Sequence, residues 1–310
     1  MLYQAMRPKS FEEVVGHESV VSAMQKIVQD PPELRPHAFL LSGESGCGKT
    51  TVARIMINAL GVDPDLDYTE LNAANSRGID TVREVVARAS FPPLKGEARA
   101  YLFDEAHQLT SAAQEALLKV VEDCPLHCYF FFCTTVPDGL IKTLRNRCTK
   151  HAFPKLRPPQ IMEIVLIADA VVGMSLDEKV IEKVVDCADG CPREALVLYE
   201  KVMHLDKETA LNSLSTTISI EKEIVDLCRV IVSRRDTRWR DALKTLSNIQ
   251  DIDMEAARRQ ITGYIRKVML GAKNKEEAAV LAAQIQAFDK NFTWGGRALF
   301  DSVVLEACTI

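Results

Sequence analysis

The strongest constraint on this chain is the octapeptide GESGCGKT at residues 43–50. Its spacing, G-x-x-x-x-G-K-[ST], is typical of a phosphate-binding loop, in which glycines let successive backbone N–H groups turn toward a triphosphate. The apolar run 37–41 before it predicts a buried strand, and 51–60 predicts a helix whose N-terminus faces the phosphates. In such a loop Lys49 reaches the β- and γ-phosphates, and Thr50 places its hydroxyl on Mg²⁺.

A second chemical signal is the apolar run 101–103, which ends in Asp104 and Glu105. At the end of a strand beside a phosphate loop, Asp104 is a candidate Mg²⁺ ligand, directly or through water. Glu105 is the candidate to polarise an attacking water. The alternative is an ordinary strand followed by an acidic loop. Because Lys49 lies upstream at a distance that fits a central sheet, the pair favours nucleotide hydrolysis.

Strand and helix signals alternate through the first half of the chain, and this predicts a parallel sheet covered by helices. The predicted strands cover 38–41, 69–72, 100–103, 129–134 and 151–153, and a predicted helix at 111–122 lies among them. Ligands of such sheets bind at the carboxyl ends of the strands, which is where the phosphate loop lies.

After the Pro158-Pro159 pair the strand signals fade. Helices are predicted at 160–172, 177–188 and 192–204, which together indicate a small helical domain. The polar, Ser/Thr-rich stretch 207–219 predicts a linker. The remaining sequence predicts five more helices, at 220–233, 239–249, 254–270, 275–291 and 294–308.

Composition bounds the remaining possibilities. A length of 310 residues suggests about two or three domains, and no apolar run approaches the roughly 20 residues that span a bilayer. No signal peptide is expected, and the nine scattered cysteines indicate reduced core residues, so we expect a cytoplasmic location. Zinc is not expected, because four closely spaced ligands are missing. The two cysteine clusters with too few ligands are Cys124, His127 and Cys128, and Cys187 with Cys191.

The net charge of −5 argues against a protein coated in basic surface, although a local stripe is enough to bind nucleic acid. Basic residues outnumber acidic ones between positions 77 and 99. They are Arg77, Arg83, Arg88, Lys95 and Arg99. On charge alone, a solvated helix face with mixed charges is the favoured interpretation.

Residues 104–107, DEAH, resemble the second Walker motif of the AAA+ superfamily. Within it the chain resembles sliding-clamp loader ATPase subunits, namely the small subunits of replication factor C, bacteriophage clamp loaders and the bacterial DNA polymerase III gamma subunit. The likeness extends over about residues 1–200. It includes the opening 7–17 (RPKSFEEVVGH), the segment 72–80 and the stretch 109–119 after the acidic pair.

The resemblance implies an α/β fold: an AAA+ P-loop NTPase parallel sheet with a helical lid domain, followed by an all-α C-terminal collar. The ATPase domain is expected at 1–156, the lid at 157–216 and the collar, which joins the subunits, at 217–310.

The resemblance also implies a set of nucleotide contacts. The opening segment packs near the adenine in this family, and Met6 stands where the family usually has Tyr or Trp. Residues 190–196 resemble the second sensor motif, whose arginine reaches ATP on the same chain. The candidate nucleotide-binding residues are Tyr3, Gln4, Ala5, Met6, Arg7, Val15, Gly43, Gly46, Cys47, Gly48, Lys49, Thr50, Thr51 and Arg193.

Two further catalytic candidates follow from the resemblance, beside Asp104 and Glu105. Thr135 resembles the sensor that contacts the γ-phosphate or the attacking water. Arg147, within 145–148, resembles the arginine of the S-R-C motif that reaches the ATP of a neighbouring subunit, although Asn146 replaces the serine. A guanidinium suits this task because it stays protonated.

The resemblance changes the interpretation of the basic stripe. Helices in this region of clamp loaders track the phosphates of primed DNA, and phosphate contacts are insensitive to sequence. The candidate DNA-binding residues are Arg77, Arg83, Arg88, Thr110 and Ser111.

The implied function is that of a clamp-loader ATPase subunit using ATP and Mg²⁺. Zinc is not expected, because the four-cysteine module of bacterial gamma subunits is missing between the Walker motifs. The implied partners are a sliding clamp, primer–template DNA, other loader subunits in a pentamer and, indirectly, the replicative polymerase, with no membrane. The alternatives are a DNA-translocating AAA+ motor or helicase loader, and a structural loader subunit.

Overall fold

The computed structural model describes residues 1–75, 78–233, 238–248, 254–272, 274–289 and 292–310. They divide into two compact units, Met1–Ala210 and Leu211–Ile310. No helix within the described ranges is both long and apolar enough to cross a membrane.

The first unit is built on a five-stranded sheet in which every neighbouring pair is parallel, in the order β2-β3-β4-β1-β5. The strands are β1 (Ala38–Gly43), β2 (Tyr68–Asn72), β3 (Arg99–Asp104), β4 (Cys128–Thr134) and β5 (Thr149–Phe153). The register pairs Ser42 with Thr134 and Asn72 with Asp104. The last residues of neighbouring strands therefore lie side by side at one edge of the sheet.

Helices cover both faces of this sheet, as its apolar strands require. They are α1 (Leu2–Ala5), α2 (Glu18–Gln29), α3 (Lys49–Ala59), α4 (Ile79–Ala89), α5 (Ser111–Glu122) and α6 (Lys142–Arg145). Helices α2 and α3 share one apolar core with the sheet, and α4 and α5 share the other. Alternation along the strands decides the face: Phe131 points into the first core, and Phe130 and Phe132 into the second.

Three helices complete this unit: α7 (Pro158–Val172), α8 (Glu178–Cys187) and α9 (Pro192–Val202). Pro158 and Pro159 begin α7, where the missing proline N–H costs no hydrogen bond. The Asp177 carboxylate accepts a hydrogen bond from the Lys179 N–H and caps α8. The proline pair thus begins the first of these three helices.

The second unit is helical within its described residues. Helix α10 (Lys207–Val232) begins in the first unit and continues into the second. The other helices of the second unit are α11 (Arg238–Asn248), α12 (Met254–Leu270), α13 (Lys275–Ala287) and α14 (Phe292–Thr309), the last interrupted at Gly296. Buried residues such as Leu227, Ile261 and Phe300 form its core.

The predicted fold class is confirmed, and the five predicted strands all occur, each one or two residues longer than predicted. The predicted linker at 207–219 is wrong, because these residues lie within α10. Its hydroxyl side chains suggested a turn, but Ala210 and Leu214 are fully buried on a helical spacing.

A buried ion pair fastens the start of β3 to the start of β2. The Arg99 guanidinium donates to Asp67 at 3.1 Å, and the Asp67 side chain has no exposed surface. Burial alone would raise the pKa of the Asp67 carboxyl. Hydrogen bonds from the N–H groups of residues 94–96 and from Arg99 outweigh burial and hold that pKa well below its usual range.

We expect Asp67→Ala to destabilise the first unit by about 3–5 kcal/mol, because it leaves Arg99 buried without its counter-charge. Chemical denaturation measures the free energy of unfolding. Asp80→Ala, which removes the exposed Asp80–Arg83 pair, is the control and should change it little.

The depressed pKa also sets the sign of the pH dependence. The contribution of Asp67 is complete above about pH 4, the pKa of an unfolded aspartate, and is lost as the pH falls further toward its folded value. The difference in stability between wild type and Asp67→Ala should therefore shrink only in strong acid. A difference that is unchanged from pH 7 to pH 2 would contradict this assignment.

Candidate functional site

The phosphate loop connects β1 to α3, and its glycines make the turn possible. Gly46 has φ 79° and Gly48 has φ 97°, a left-handed conformation that disfavours other residues. Helix α3 begins immediately after Gly48, so its first N–H groups, which have no partner within the helix, point toward the loop. This is the geometry that binds phosphate at a helix N-terminus.

The start of α9 lies against this loop. A Cβ atom added to Gly46 would lie 2.6 Å from Cys191 Sγ and 3.1 Å from Arg193 Cβ, so only glycine fits beneath the start of α9. The Arg193 guanidinium lies 5.6 Å from the centroid of the Tyr3 ring, within the range of a cation–π contact. Two predicted nucleotide-binding residues, 190 positions apart, therefore meet beside the loop.

Lys49 and Thr50 point in different directions from the first turn of α3. Lys49 is buried, and its ammonium donates to the carbonyl oxygens of Gly43 and Glu44 at 2.9 and 2.7 Å. The Thr50 hydroxyl donates to Asp104 Oδ1 at 3.2 Å. The two residues predicted to hold Mg²⁺ are thus in direct contact, and their oxygen atoms suit that cation.

Glu105 follows β3 with φ 51°, a left-handed conformation that is uncommon for a residue with a side chain. Its N–H donates to Asp104 Oδ1 at 3.1 Å. The Thr135 hydroxyl donates to Glu105 Oε2 at 3.4 Å, and His107 Nδ1 lies 3.4 Å from the same oxygen. Three of the four predicted catalytic residues, Asp104, Glu105 and Thr135, therefore form one cluster.

A cavity of about 160 Å³ opens beside the loop, between the N-terminal segment and the lid. Most of the predicted nucleotide-binding residues line it: Tyr3, Met6, Arg7, Val15, Gly46, Cys47, Gly48, Lys49, Thr50, Thr51 and Arg193. Gln4, Ala5 and Gly43 are not part of its wall. The apolar residues Ile164 and Ile167 of α7 and Leu196 of α9 line it as well. They could not be predicted from the sequence, because a helical pattern does not indicate which residues face a distant loop.

His17 is a further residue of this wall that sequence reasoning did not select. Its Nε2–H donates to the Cys47 carbonyl at 2.9 Å, and its ring meets Phe153 edge-on at 4.8 Å. Burial lowers the pKa of His17, and the hydrogen bond to Cys47 offsets only part of that effect. A neutral imidazole therefore ties the opening segment to the phosphate loop.

The fourth predicted catalytic residue, Arg147, is placed elsewhere. It lies between α6 and β5, and its guanidinium donates to Glu122 at 2.7 Å and to the Thr143 carbonyl at 3.1 Å. Its side chain is 32% exposed. Arg147 therefore lies apart from the cluster around Asp104 of its own chain. This placement is compatible with the prediction that it acts on a neighbouring subunit.

Four of the five predicted DNA contacts lie on or beside α4 and α5. Arg77 lies outside the described residues. Arg83 and Arg88 are exposed on α4, and Ser111 is exposed at the start of α5, the helix that packs beside α4. Thr110 accepts a hydrogen bond from the Ala113 N–H and so caps α5. Two other members of the basic stripe have internal partners: Arg99 pairs with Asp67 and Lys95 with Asp63.

Comparison with known proteins identifies relatives. Residues 60–157 match the family described as DNA polymerase III, delta subunit. DNA polymerase III subunit gamma/tau of Mycobacterium tuberculosis is 33% identical over 255 residues, covering 73% of this chain and 44% of that protein. Subunit tau of Bacillus subtilis is 28% identical, covering 87% of this chain and 51% of that protein.

The chain is thus similar to the gamma/tau subunits of DNA polymerase III over most of its length. This confirms the resemblance to the bacterial DNA polymerase III gamma subunit that the motifs indicated. The chain spans about half the length of these gamma/tau relatives. Among solved structures, the RuvB Holliday junction branch migration motor of Thermotoga maritima superimposes with a TM-score of 0.60 at 18% identity, over 83% of this chain and 85% of that one. At this identity the likeness shows the AAA+ fold alone.

Two substitutions should separate nucleotide binding from turnover in this protein. We expect Glu105→Gln to keep ATP affinity and to lose about 10²–10⁴-fold in the hydrolysis rate, because only the group that orients water is changed. Lys49→Ala should lose affinity itself, because the lysine charge contacts the phosphates. Equilibrium binding of a fluorescent ATP analogue and phosphate release measure the two effects.

The exposed Glu182→Gln is the matched control and should leave both quantities unchanged. Turnover of Glu105→Gln within about twofold of wild type would reject its role, given the loss expected for such a group. Normal affinity in Lys49→Ala would reject the phosphate-loop assignment.

Proposed function

We propose that this chain is the ATPase subunit of a DNA sliding-clamp loader. ATP binding assembles the loader for clamp opening and primer–template binding. Hydrolysis releases the closed clamp on DNA for the replicative polymerase. The observation that carries the proposal is the contact of Thr50 with Asp104, beside buried Lys49 and the Glu105–Thr135 pair.

The residues of this cluster fit ATP with Mg²⁺. Thr50 and Asp104 would hold the cation, which neutralises phosphate charge when it is bound. The phosphate loop and Lys49 would bind the phosphates, and Glu105 would accept a hydrogen bond from the attacking water and orient it. Thr135 would contact the γ-phosphate or the same water, since its hydroxyl already lies against Glu105.

The lid supplies a means of sensing the bound nucleotide. Arg193 lies over the phosphate loop on the same chain, and Tyr3 stacks on it from the N-terminal segment. A guanidinium at this position would bind the phosphates of ATP more strongly than those of ADP, because ATP carries more charge. Nucleotide state would therefore set the position of the lid domain, assigned to 157–216.

The partners we propose are a sliding clamp, primer–template DNA and other loader subunits in a pentamer, with the polymerase reached indirectly and no membrane. The collar at 217–310 would join the subunits, in the cytoplasm. A DNA-translocating motor or helicase loader is the alternative, and it should form hexamers. A structural subunit is disfavoured, because Lys49, Thr50, Asp104 and Glu105 are all present.

Stimulation of ATP hydrolysis tests the proposal. Phosphate release is measured for the full chain assembled with its loader partners, alone, with primed DNA, with a sliding clamp, and with both. A loader subunit should require both for full stimulation, because hydrolysis earlier in the cycle would release the clamp before it reaches DNA. Stimulation by DNA alone in a hexameric assembly would favour the motor instead.

Arg147 should act on the ATP of a neighbouring subunit. Such an arginine supplies about 10³–10⁵-fold in rate. We expect Arg147→Ala and Lys49→Ala subunits each to be inactive alone and to recover part of the ATPase activity when they are co-assembled. Recovery is expected because some mixed interfaces pair an intact Arg147 with an intact Lys49.

Lack of recovery in mixtures shown to co-assemble would count against action in trans. The control is a mixture of Glu105→Gln and Lys49→Ala subunits. It should stay inactive, because each ATP site then lacks one of the two residues.

Arg83 and Arg88 on α4, together with Arg77, should bind phosphates of primed DNA. Replacing Arg83, Arg88 and Arg77 with Ala should weaken DNA binding equally for all primer sequences. Each lost phosphate contact should reduce the slope of log K against log salt by about one unit. Fluorescence anisotropy at several salt concentrations measures the slope.

ATP affinity of this triple variant should not change. The control is Arg229→Ala, an exposed arginine paired with Asp226 in the second unit. If the triple variant folds and its salt slope equals that of wild type, these arginines form only a solvated helix face.

A further inference from the structure

His107 is a mostly buried residue beside the cluster of Asp104, Glu105 and Thr135. The mechanism proposed above does not use it. Its side chain is only 17% exposed. Nδ1 lies 3.0 Å from Thr134 Oγ1 and 3.4 Å from Glu105 Oε2, and Nε2 lies 3.2 Å from the Gln108 amide nitrogen. The imidazole therefore stands between the end of β4 and the carboxylate that follows β3.

Packing holds this ring in place. A Cβ atom added to Gly139 would lie 2.7 Å from His107 Cβ, so the turn Pro137–Gly139 lies directly against the histidine. On the other side, Thr134 accepts a hydrogen bond from the Val136 N–H and is itself fully buried. A ring fixed by a turn and a buried hydroxyl can restrain a more mobile group beside it.

The contact with Gln108 favours one tautomer of the ring. The Gln108 amide nitrogen is a donor, so Nε2 must accept. Nδ1 then carries the hydrogen and donates it to Thr134 Oγ1 at 3.0 Å, and Glu105 Oε2 lies 3.4 Å from the same nitrogen. The other tautomer would place lone pairs of Nδ1 and of the carboxylate against each other.

Glu105 needs such a restraint. Its side chain is 34% exposed and its backbone is left-handed, so the carboxylate is not fixed by burial. Within the described part of the chain, the contacts of Thr135 and His107 both fall on Oε2. Oε1 is then the oxygen that would be available to orient an attacking water.

We propose that His107 is a positioning residue that shares its Nδ1–H between Thr134 Oγ1, its hydrogen-bond partner, and Glu105 Oε2, and so orients Oε1 toward the attacking water. This inference rests on the proposed ATPase function. It assigns His107 no contact with ATP, so it affects the rate of hydrolysis and not the affinity for nucleotide.

The test compares His107→Leu with His107→Asn in the full chain under the conditions of maximal ATPase activity. The Asn amide can place an N–H near the position of Nδ1, whereas Leu fills the space without a donor. We expect Leu to lower kcat about 10-fold, the effect of one lost hydrogen bond to a charged group, with unchanged affinity for a fluorescent ATP analogue. Asn should keep at least about half of the wild-type kcat, because it restores that hydrogen bond.

A second comparison separates positioning from folding. In a Glu105→Gln background, His107→Leu should lower the residual rate no further, because the group it positions is already altered. The exposed His204→Leu is the matched control and should behave like wild type.

Three results would overturn the inference: an unchanged kcat in His107→Leu, an equal loss in the Leu and Asn variants, or a full further loss in the Glu105→Gln background. A wild-type chain that hydrolyses no ATP under any condition would instead reject the proposed function itself.

Discussion

The hydrogen bond from Thr50 to Asp104 joins the two halves of the candidate site, and the rest of the first unit serves to make it possible. Thr50 comes from the helix after β1, and Asp104 from the end of β3, two strands away. Only a parallel sheet in register brings these ends to one edge. The apolar cores on both faces of the sheet fix that register. A slip of one residue would move each side chain of the buried run Phe130–Phe132 to the opposite face of the sheet.

The same edge concentrates groups that would be costly elsewhere. Lys49 is buried against loop carbonyls, and Glu105 holds a left-handed backbone conformation. Strain and buried charge of this kind are typical of functional sites, where the surrounding structure compensates for them. The lid adds a second layer, because Gly46 lets the start of α9 approach the loop closely enough for Arg193 to reach it. The residues proposed to bind and to sense the nucleotide thus meet at one loop.

Much of this arrangement can be predicted from sequence, and the reasons differ by residue. Lys49, Thr50, Asp104 and Glu105 sit in local motifs whose spacing specifies both structure and chemistry. The contact of His107 with Glu105 and the cavity wall of Ile164, Ile167 and Leu196 depend on packing between distant segments, which no local pattern encodes. Arg99 illustrates the limit for charge: counted in a basic stripe, it is in fact buried against Asp67. The helix at 207–219 shows that buried apolar spacing outweighs a polar composition.

The most direct test of the account is a structure of the Glu105→Gln variant with ATP and Mg²⁺. The account predicts that the cation binds between the triphosphate and the Thr50–Asp104 pair. It also predicts that the Lys49 ammonium leaves the Gly43 and Glu44 carbonyls for the β- and γ-phosphates. A nucleotide bound elsewhere, or a Lys49 that stays on those carbonyls with ATP in the loop, would contradict it.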